Sequence, residues 1–192
     1  MDLKLNSFSD PPVSMARFRH QEQATSIYHD DMVTSASNTI SATRVGELLR
    51  RAREDIGYTQ SELASRAGTS QAALSAIEGG SRIPGNELTD RLLRAALLRP
   101  SIPLAFYAEE LRSLAAQHGL DHLRVFGSVA RGDDGPDSDV DVLASRIPGA
   151  STLDLLSFPE AAARLLGFPV DLVLDDSRGV ALEAIGNAAV PL

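Results

Sequence analysis

Apolar residues recur at helical spacing through the middle of the chain, where they predict four short helices between residues 41 and 100. Ala52 belongs to the apolar face of the first helix. The segments SELASRA and QAALSAIE predict the second and third helices, which a tight turn at Gly68 separates, and a fourth helix is expected over residues 86–98. Two short helices joined by such a turn form a helix-turn-helix unit.

The second and third helices carry specific signals at their starts. Thr59 and Glu62 fit the T-x-x-E capping box, in which each side chain accepts a hydrogen bond from the other residue's backbone N–H. Thr69 or Ser70 is the expected cap of the third helix. The sequence therefore predicts where both helices of the unit begin.

The pattern changes in the last part of the chain, where helical and strand periods alternate. We expect one helix that Pro103 opens, followed by a short buried strand, LRVFGS, that breaks at Gly127. The segment SDVDVLA alternates aspartate with valine, which is a strand period, and VDLVL predicts a third strand. A helix over residues 153–166 is expected between these two strands, with an interruption at Pro159.

Composition and charge divide the chain. Its 192 residues include no cysteine, which excludes disulfides, thiol catalysis and cysteine-ligated metals. We expect a soluble, cytoplasmic protein, since neither a secretory signal nor an apolar run of roughly 20 residues is present. The net charge of −8 is uneven, with +2 over residues 41–100 and −8 over residues 101–192. We therefore expect two domains, an all-α helix-turn-helix bundle over 41–100 and a small α/β domain with a mixed sheet over 101–192, after a disordered tail over 1–40.

Carboxylates carry the candidate chemistry of the last part. The strand period places Asp139 and Asp141 on one face, and Asp171 lies on the following strand. Like charges repel at short range, so such a cluster needs a cation, and oxygen ligands suit Mg²⁺. Two ions held there can clamp the attacking and leaving oxygens of a phosphoryl transfer. Gly127 and Ser128 follow a strand, where backbone N–H groups and the hydroxyl can grip a triphosphate.

The segments FGSVARGDDGPDSDVDVLA and PVDLVL resemble the minimal nucleotidyltransferase family of the DNA-polymerase-beta-like superfamily. The resemblance implies that Asp139, Asp141 and Asp171 are catalytic and bind metal, with Asp171 on the side of the incoming hydroxyl. It also implies that a nucleotide, ATP as substrate, is bound by Gly127, Ser128 and Arg131; for Arg131 the alternative is an ion pair with Asp133 or Asp137. The three acids of the intervening loop, which include Asp134, are expected to be solvated.

The segments GYTQSELA, AGTSQ and SAIEG resemble the XRE/Cro-type, phage-repressor-like family of helix-turn-helix proteins. The resemblance implies that the helix after Ser70 enters the major groove of operator DNA, with Gln71 reading an adenine edge and Gln60 bracing Gln71. The full implied DNA-binding set is Gln60, Ser70, Gln71, Ala72, Ser75, Arg50 and Arg82. Because no basic residue lies between Gly68 and Gly80, we expect weak binding by one copy, and a homodimer or hetero-oligomer on DNA.

The two resemblances together imply an antitoxin. Minimal nucleotidyltransferases resembling this one transfer AMP to a HEPN-type toxin, and a fused helix-turn-helix implies repression of the shared operon. Few residues follow Asp171, so we expect the acceptor to arrive on another protein. One alternative is a DNA-binding regulator whose nucleotidyltransferase part only docks a partner. Another is a toxin that modifies tRNA, although residues 101–192 contain no basic cluster for RNA.

Overall fold

The structure is a computed structural model that describes residues 42–176 and 185–192. The disordered tail expected over residues 1–40 lies outside the described residues. Four helices come first, as the apolar pattern predicts: α1 (Ala42–Asp55), α2 (Gln60–Arg66), α3 (Gln71–Glu78) and α4 (Asn86–Ala95). Two helices and the first strand follow: α5 (Ser101–Phe106), α6 (Ala108–Gln117) and β1 (Leu120–Phe126). The rest comprises α7 (Gly127–Arg131), β2 (Val140–Arg146), α8 (Thr152–Leu166), β3 (Val170–Leu174) and β4 (Val190–Pro191).

Local signals begin the helices of the first unit. Thr59 caps α2 in a complete capping box with Glu62, as predicted, and Ser70 caps α3 by accepting a hydrogen bond from the Ala73 N–H. Helices α1 and α3 pack so closely that a Cβ on Gly46 would collide with the backbone carbonyl of Ile77. The two helices can therefore approach this closely only because Gly46 has no side chain.

Three helix predictions differ from the structure. The fourth helix ends at Ala95, three residues early. The helix expected from Pro103 is two helices, α5 and α6, which meet at the buried Tyr107. Helix α8 runs through Pro159 without the expected interruption. A proline costs an interior helix about 3 kcal/mol, but the neighbouring apolar residues of α8, such as Phe158, are fully buried and hold the helix in place.

The four strands form one mixed sheet in the order β3-β2-β1-β4. Strand β1 pairs antiparallel with β2 and β4, whereas β2 and β3 are parallel. Residues Val140, Val142 and Ala144 of β2 are fully buried on the sheet face that α6 and α8 cover. The alternate residues of β2 therefore lie on the other face. The expected fold class, a helical unit followed by an α/β unit with a mixed sheet, is confirmed.

The helical and α/β units share one continuous apolar core, which extends from Leu49 to Val170. At their junction, Arg44 and Arg51 of α1 lie over the Phe106 ring, with the guanidinium carbon 5.5 Å and 4.9 Å from the ring centroid. Arg44 also forms an ion pair with Glu110 of α6. The junction is therefore packed by side chains from both units.

Candidate active site and DNA-recognition helices

Three carboxylates converge at one end of the sheet. Asp141 of β2 lies beside Asp171 of β3 in the parallel register, and Asp139 directly precedes β2. One oxygen from each of the three side chains lies within 4.8 Å of the others. Neighbouring residues in a parallel register share a sheet face, and the two-residue spacing keeps Asp139 on that face. The structure therefore brings together the three acids that the sequence singled out.

The environment of this cluster favours a bound cation. Burial, then the nearby Asp139 and Asp171 carboxylates, raises the pKa of Asp141 to about 6. Bringing three carboxylates this close is unfavourable unless a proton or a metal ion offsets the charge. The donor set consists only of oxygen atoms, which fits Mg²⁺.

The chain turns sharply beside these acids. Strand β1 ends at Phe126, which pairs with Asp141 across the sheet, and α7 begins at the next residue. Gly127 has a positive φ of 68°, and a Cβ built on it would collide with the Asp141 carboxylate. Only glycine satisfies both conditions, so the backbone of the G-S motif passes directly beside the Asp141 carboxylate.

The loop between α7 and β2 contains a residue whose environment was predicted wrongly. At the end of α7, before this loop, Arg131 is exposed and donates a hydrogen bond of 3.1 Å to Asp133. Asp134, expected to be solvated, is instead buried and accepts hydrogen bonds from Arg99 and from the Ser101 N–H. The contact with Arg99 forms only in the folded molecule, so no local pattern in the sequence could have indicated it.

The structure also brings together the predicted DNA-binding residues of α2 and α3. The Gln71 side-chain amide donates a hydrogen bond of 2.9 Å to Oε1 of Gln60, and Nε2 of Gln60 donates one of 2.9 Å to the Glu78 carboxylate. Ala72 and Ser75 are exposed beside Gln71. The Ser70 hydroxyl is engaged in the α3 cap. Sequence reasoning missed Glu78, which holds Gln60.

The arginines predicted to contact DNA phosphates lie in different surroundings. Arg50 is exposed on α1 beside Glu54, at 3.3 Å. Arg82 is exposed in the segment after α3. The neighbouring Arg51 donates to Glu47 and lies over Phe106 at the junction. Of these three, Arg51 is the one whose guanidinium faces the other unit of the chain.

A carboxylate triad beside a G-S turn on a mixed sheet defines a nucleotidyltransferase, here joined to a helix-turn-helix DNA-binding domain. A helix-turn-helix domain family matches residues 44–100, and a nucleotidyltransferase domain family matches residues 107–184. The protein adenylyltransferase MntA of Thermococcus cleftensis is 36% identical over 77 residues, and the match covers 36% of this chain and 78% of that relative. The chain therefore belongs to the minimal nucleotidyltransferase family.

A solved structure of a minimal nucleotidyltransferase is 38% identical to the chain. The match covers 48% of this chain and 95% of the solved one, with a TM-score of 0.44. Within residues 42–176 and 185–192, no helix is long and apolar enough to span a bilayer.

Proposed function

We propose that this protein transfers AMP from ATP to a partner toxin in a Mg²⁺-dependent reaction, and that it represses its own operon through the helix-turn-helix domain. The observation that carries the catalytic part is the convergence of Asp139, Asp141 and Asp171 beside the Gly127 turn. The name of the relative from Thermococcus cleftensis, a protein adenylyltransferase, supports a protein as the acceptor.

The residues of the site have distinct roles in this reaction. Asp139, Asp141 and Asp171 would hold two Mg²⁺ ions, which when bound supply positive charge to the attacking and leaving oxygens. Ser128 holds a nucleotide phosphate, Gly127 lets that phosphate approach the backbone, and the exposed Arg131 contacts the phosphate chain. Asp171, the exposed member of the triad, faces the incoming acceptor.

The chemical step balances without a further reactant. The acceptor hydroxyl oxygen forms a bond to the α-phosphorus of ATP, and the bond from that phosphorus to the bridging oxygen breaks. Pyrophosphate leaves with the bonding electrons, and the hydroxyl proton passes to the Asp171 carboxylate. Positioning and electrostatic stabilisation supply most of the rate enhancement in such transfers.

The same protein would bind operator DNA through α3. The exposed face that contains Gln71, Ala72 and Ser75 is short and uncharged, and its size suits the major groove. Arg50 and Arg82 would contact phosphates, with Ser70 and Gln60 at the start of the recognition surface. Because few cations lie near this face, we propose that a homodimer or the complex with the toxin supplies the remaining affinity.

Transfer of label tests the proposal. The full-length protein is incubated with ATP labelled on the α-phosphate, Mg²⁺ and the purified product of the adjacent gene, and a parallel reaction contains tRNA in its place. Label on the protein acceptor supports adenylylation of a toxin. Label on tRNA, or nucleotide binding with no transfer to either acceptor, contradicts it.

A further inference from the structure

A partly buried ion-pair network connects the nucleotidyltransferase site to the helix-turn-helix unit. Arg99 lies in the segment between α4 and α5 and donates hydrogen bonds of 2.8 Å and 2.7 Å to the two carboxylate oxygens of Asp55, at the end of α1. A third bond from the same guanidinium, 2.8 Å long, reaches Asp134 in the loop before β2. One arginine therefore bridges two carboxylates from different parts of the fold.

The burial of Asp134 makes this bridge costly to break. Its side chain is fully buried, whereas Arg99 and Asp55 are 29% and 28% exposed. The second oxygen of Asp134 accepts the Ser101 N–H at 2.8 Å. Asp55, then Asp134, holds the pKa of Arg99 above its ordinary value, and Arg99 holds the pKa of Asp55 below its own. Removing Arg99 would leave a buried, uncompensated carboxylate.

The loop that Asp134 anchors forms part of the site. It connects the end of α7, the short helix that contains Ser128, to Asp139, the first acid of the triad. A turn closes its second half, where the Gly135 N–H donates to the Ser138 hydroxyl at 3.0 Å and the Ser138 N–H donates to the Gly135 carbonyl at 3.0 Å. The loop is therefore braced internally on one side of Gly135 and by Arg99 on the other.

We propose that Arg99 and Asp134 are positioning residues, which fix the loop between Ser128 and Asp139 to the end of α1 and so make the geometry of the nucleotide site depend on the helix-turn-helix unit. This inference rests on the nucleotidyltransferase site but requires neither a toxin nor an operator. Displacement of reacting groups by about 1 Å can reduce a rate about 100-fold. A loosened loop therefore affects the site even though neither Arg99 nor Asp134 belongs to the triad.

The test compares conservative variants of the full-length protein. Arg99→Lys keeps the charge but cannot bridge both carboxylates in the same geometry. Asp134→Asn keeps the shape of the buried side chain. Asp55→Asn changes only the helix-turn-helix end of the network, where the Asp55 side chain is partly exposed. Asp90→Asn is the matched control, because it removes an ion pair with Arg94 within α4.

Two measurements are made on each variant that shows wild-type circular dichroism. Hydrogen exchange follows the amides of residues 132–139, and titration in Mg²⁺ with an ATP analogue that cannot be cleaved at the α-phosphate gives the nucleotide dissociation constant. We expect faster exchange in the loop and about tenfold weaker nucleotide binding for Arg99→Lys and Asp134→Asn, because the bound geometry is no longer held in advance. Asp55→Asn shows the same changes, severalfold smaller, and Asp90→Asn shows neither.

Hydrogen exchange of the loop amides at the wild-type rate in both Asp55→Asn and Arg99→Lys would overturn the inference, whatever the thermal stability of these variants. A wild-type protein that binds no nucleotide would instead contradict the proposed function, and hydrogen exchange alone would then decide whether Arg99 fixes the loop. If exchange rises but the nucleotide dissociation constant is unchanged, the network is only structural and the positioning role is wrong.

Discussion

At Gly127, the lack of a side chain allows the backbone geometry of the nucleotidyltransferase site. Its positive φ and its contact with the Asp141 carboxylate leave no space for a side chain. We expect Gly127→Ala to lower nucleotidyl transfer at least about tenfold, because a left-handed backbone alone costs an L-residue about 1–2 kcal/mol. The initial rate of AMP transfer measures the effect. Gly85→Ala, in the helix-turn-helix unit, is the control, since a Cβ there meets open space; equal activity of the two variants would contradict this account of the turn.

The raised pKa of Asp141 predicts how pH affects cation binding. In the cation-free protein the folded state keeps this proton to about pH 6, whereas an unfolded aspartate loses it near pH 4. The group's contribution to stability is therefore present below about pH 4 and is lost as the pH rises through about 6. A cation must compete with the same proton, so we expect Mg²⁺ affinity to fall roughly tenfold between pH 7 and pH 5.

The shift of Tm on addition of Mg²⁺ measures this competition. We expect a large increase in Tm at pH 7.5 and a small one at pH 5. Asp141→Asn should remove most of the difference between the two conditions, since its amide does not titrate. A Mg²⁺-induced shift in the wild-type protein that is the same at both pH values would show that these carboxylates do not hold the cation.

At the scale of secondary-structure elements, α3 tests the DNA-binding proposal. Its exposed Gln71 is held by Gln60, which in turn is held by Glu78. We expect Gln71→Ala to weaken operator binding by about 1–3 kcal/mol, as for loss of a bidentate contact with a base. Binding to operator and random DNA is measured at one salt concentration. Gln117→Ala, at the end of α6, should leave both affinities unchanged; wild-type operator discrimination in Gln71→Ala would count against a role in base recognition.

The packing of α1 against α3 depends on one buried ion pair. Arg53 donates to both Glu78 oxygens, at 2.7 Å and 3.0 Å, and both side chains are nearly buried. We expect Glu78→Ala to lower the free energy of unfolding by about 3–5 kcal/mol, because it leaves the arginine buried without its partner. Urea denaturation measures the change. Glu87→Ala, on an exposed residue of α4 that pairs with Arg91, should lower it by less than about 1 kcal/mol, and similar losses in the two variants would refute the argument.

How well each element could be predicted depended on whether its signal was local. The capping box at Thr59 fixed the start of α2 because both partners lie within one turn. The alternation through Asp139 and Asp141 indicated a strand with a carboxylate face for the same reason. The interruption predicted at Pro159 was wrong, because burial of α8 against the sheet outweighs the helix-breaking tendency of proline. The prediction that Asp134 is solvated was wrong because its partner, Arg99, is distant in sequence.

At the scale of the whole molecule, the net charge of −8 combines two regions of opposite sign, residues 41–100 and residues 101–192. The weakly positive helix-turn-helix unit and the acidic nucleotidyltransferase unit have separate functional faces. They nevertheless share one apolar core, the stacking of Arg44 and Arg51 on Phe106, and the Arg99 network. The two units are therefore expected to unfold together. Substitutions at their junction should affect both the proposed AMP transfer and the proposed DNA binding.

The most direct test of the central claim is the mass of the adjacent gene's protein product after incubation with the full-length enzyme, ATP and Mg²⁺. We expect an increase equal to one or more AMP groups with the wild-type protein and none with the Asp139→Ala/Asp141→Ala double variant. Asp154→Ala, on the exposed first turn of α8, is the control and should modify the partner at the wild-type rate. An unmodified partner with the wild-type enzyme, or equal modification by the double variant, would contradict the assignment of these carboxylates to AMP transfer.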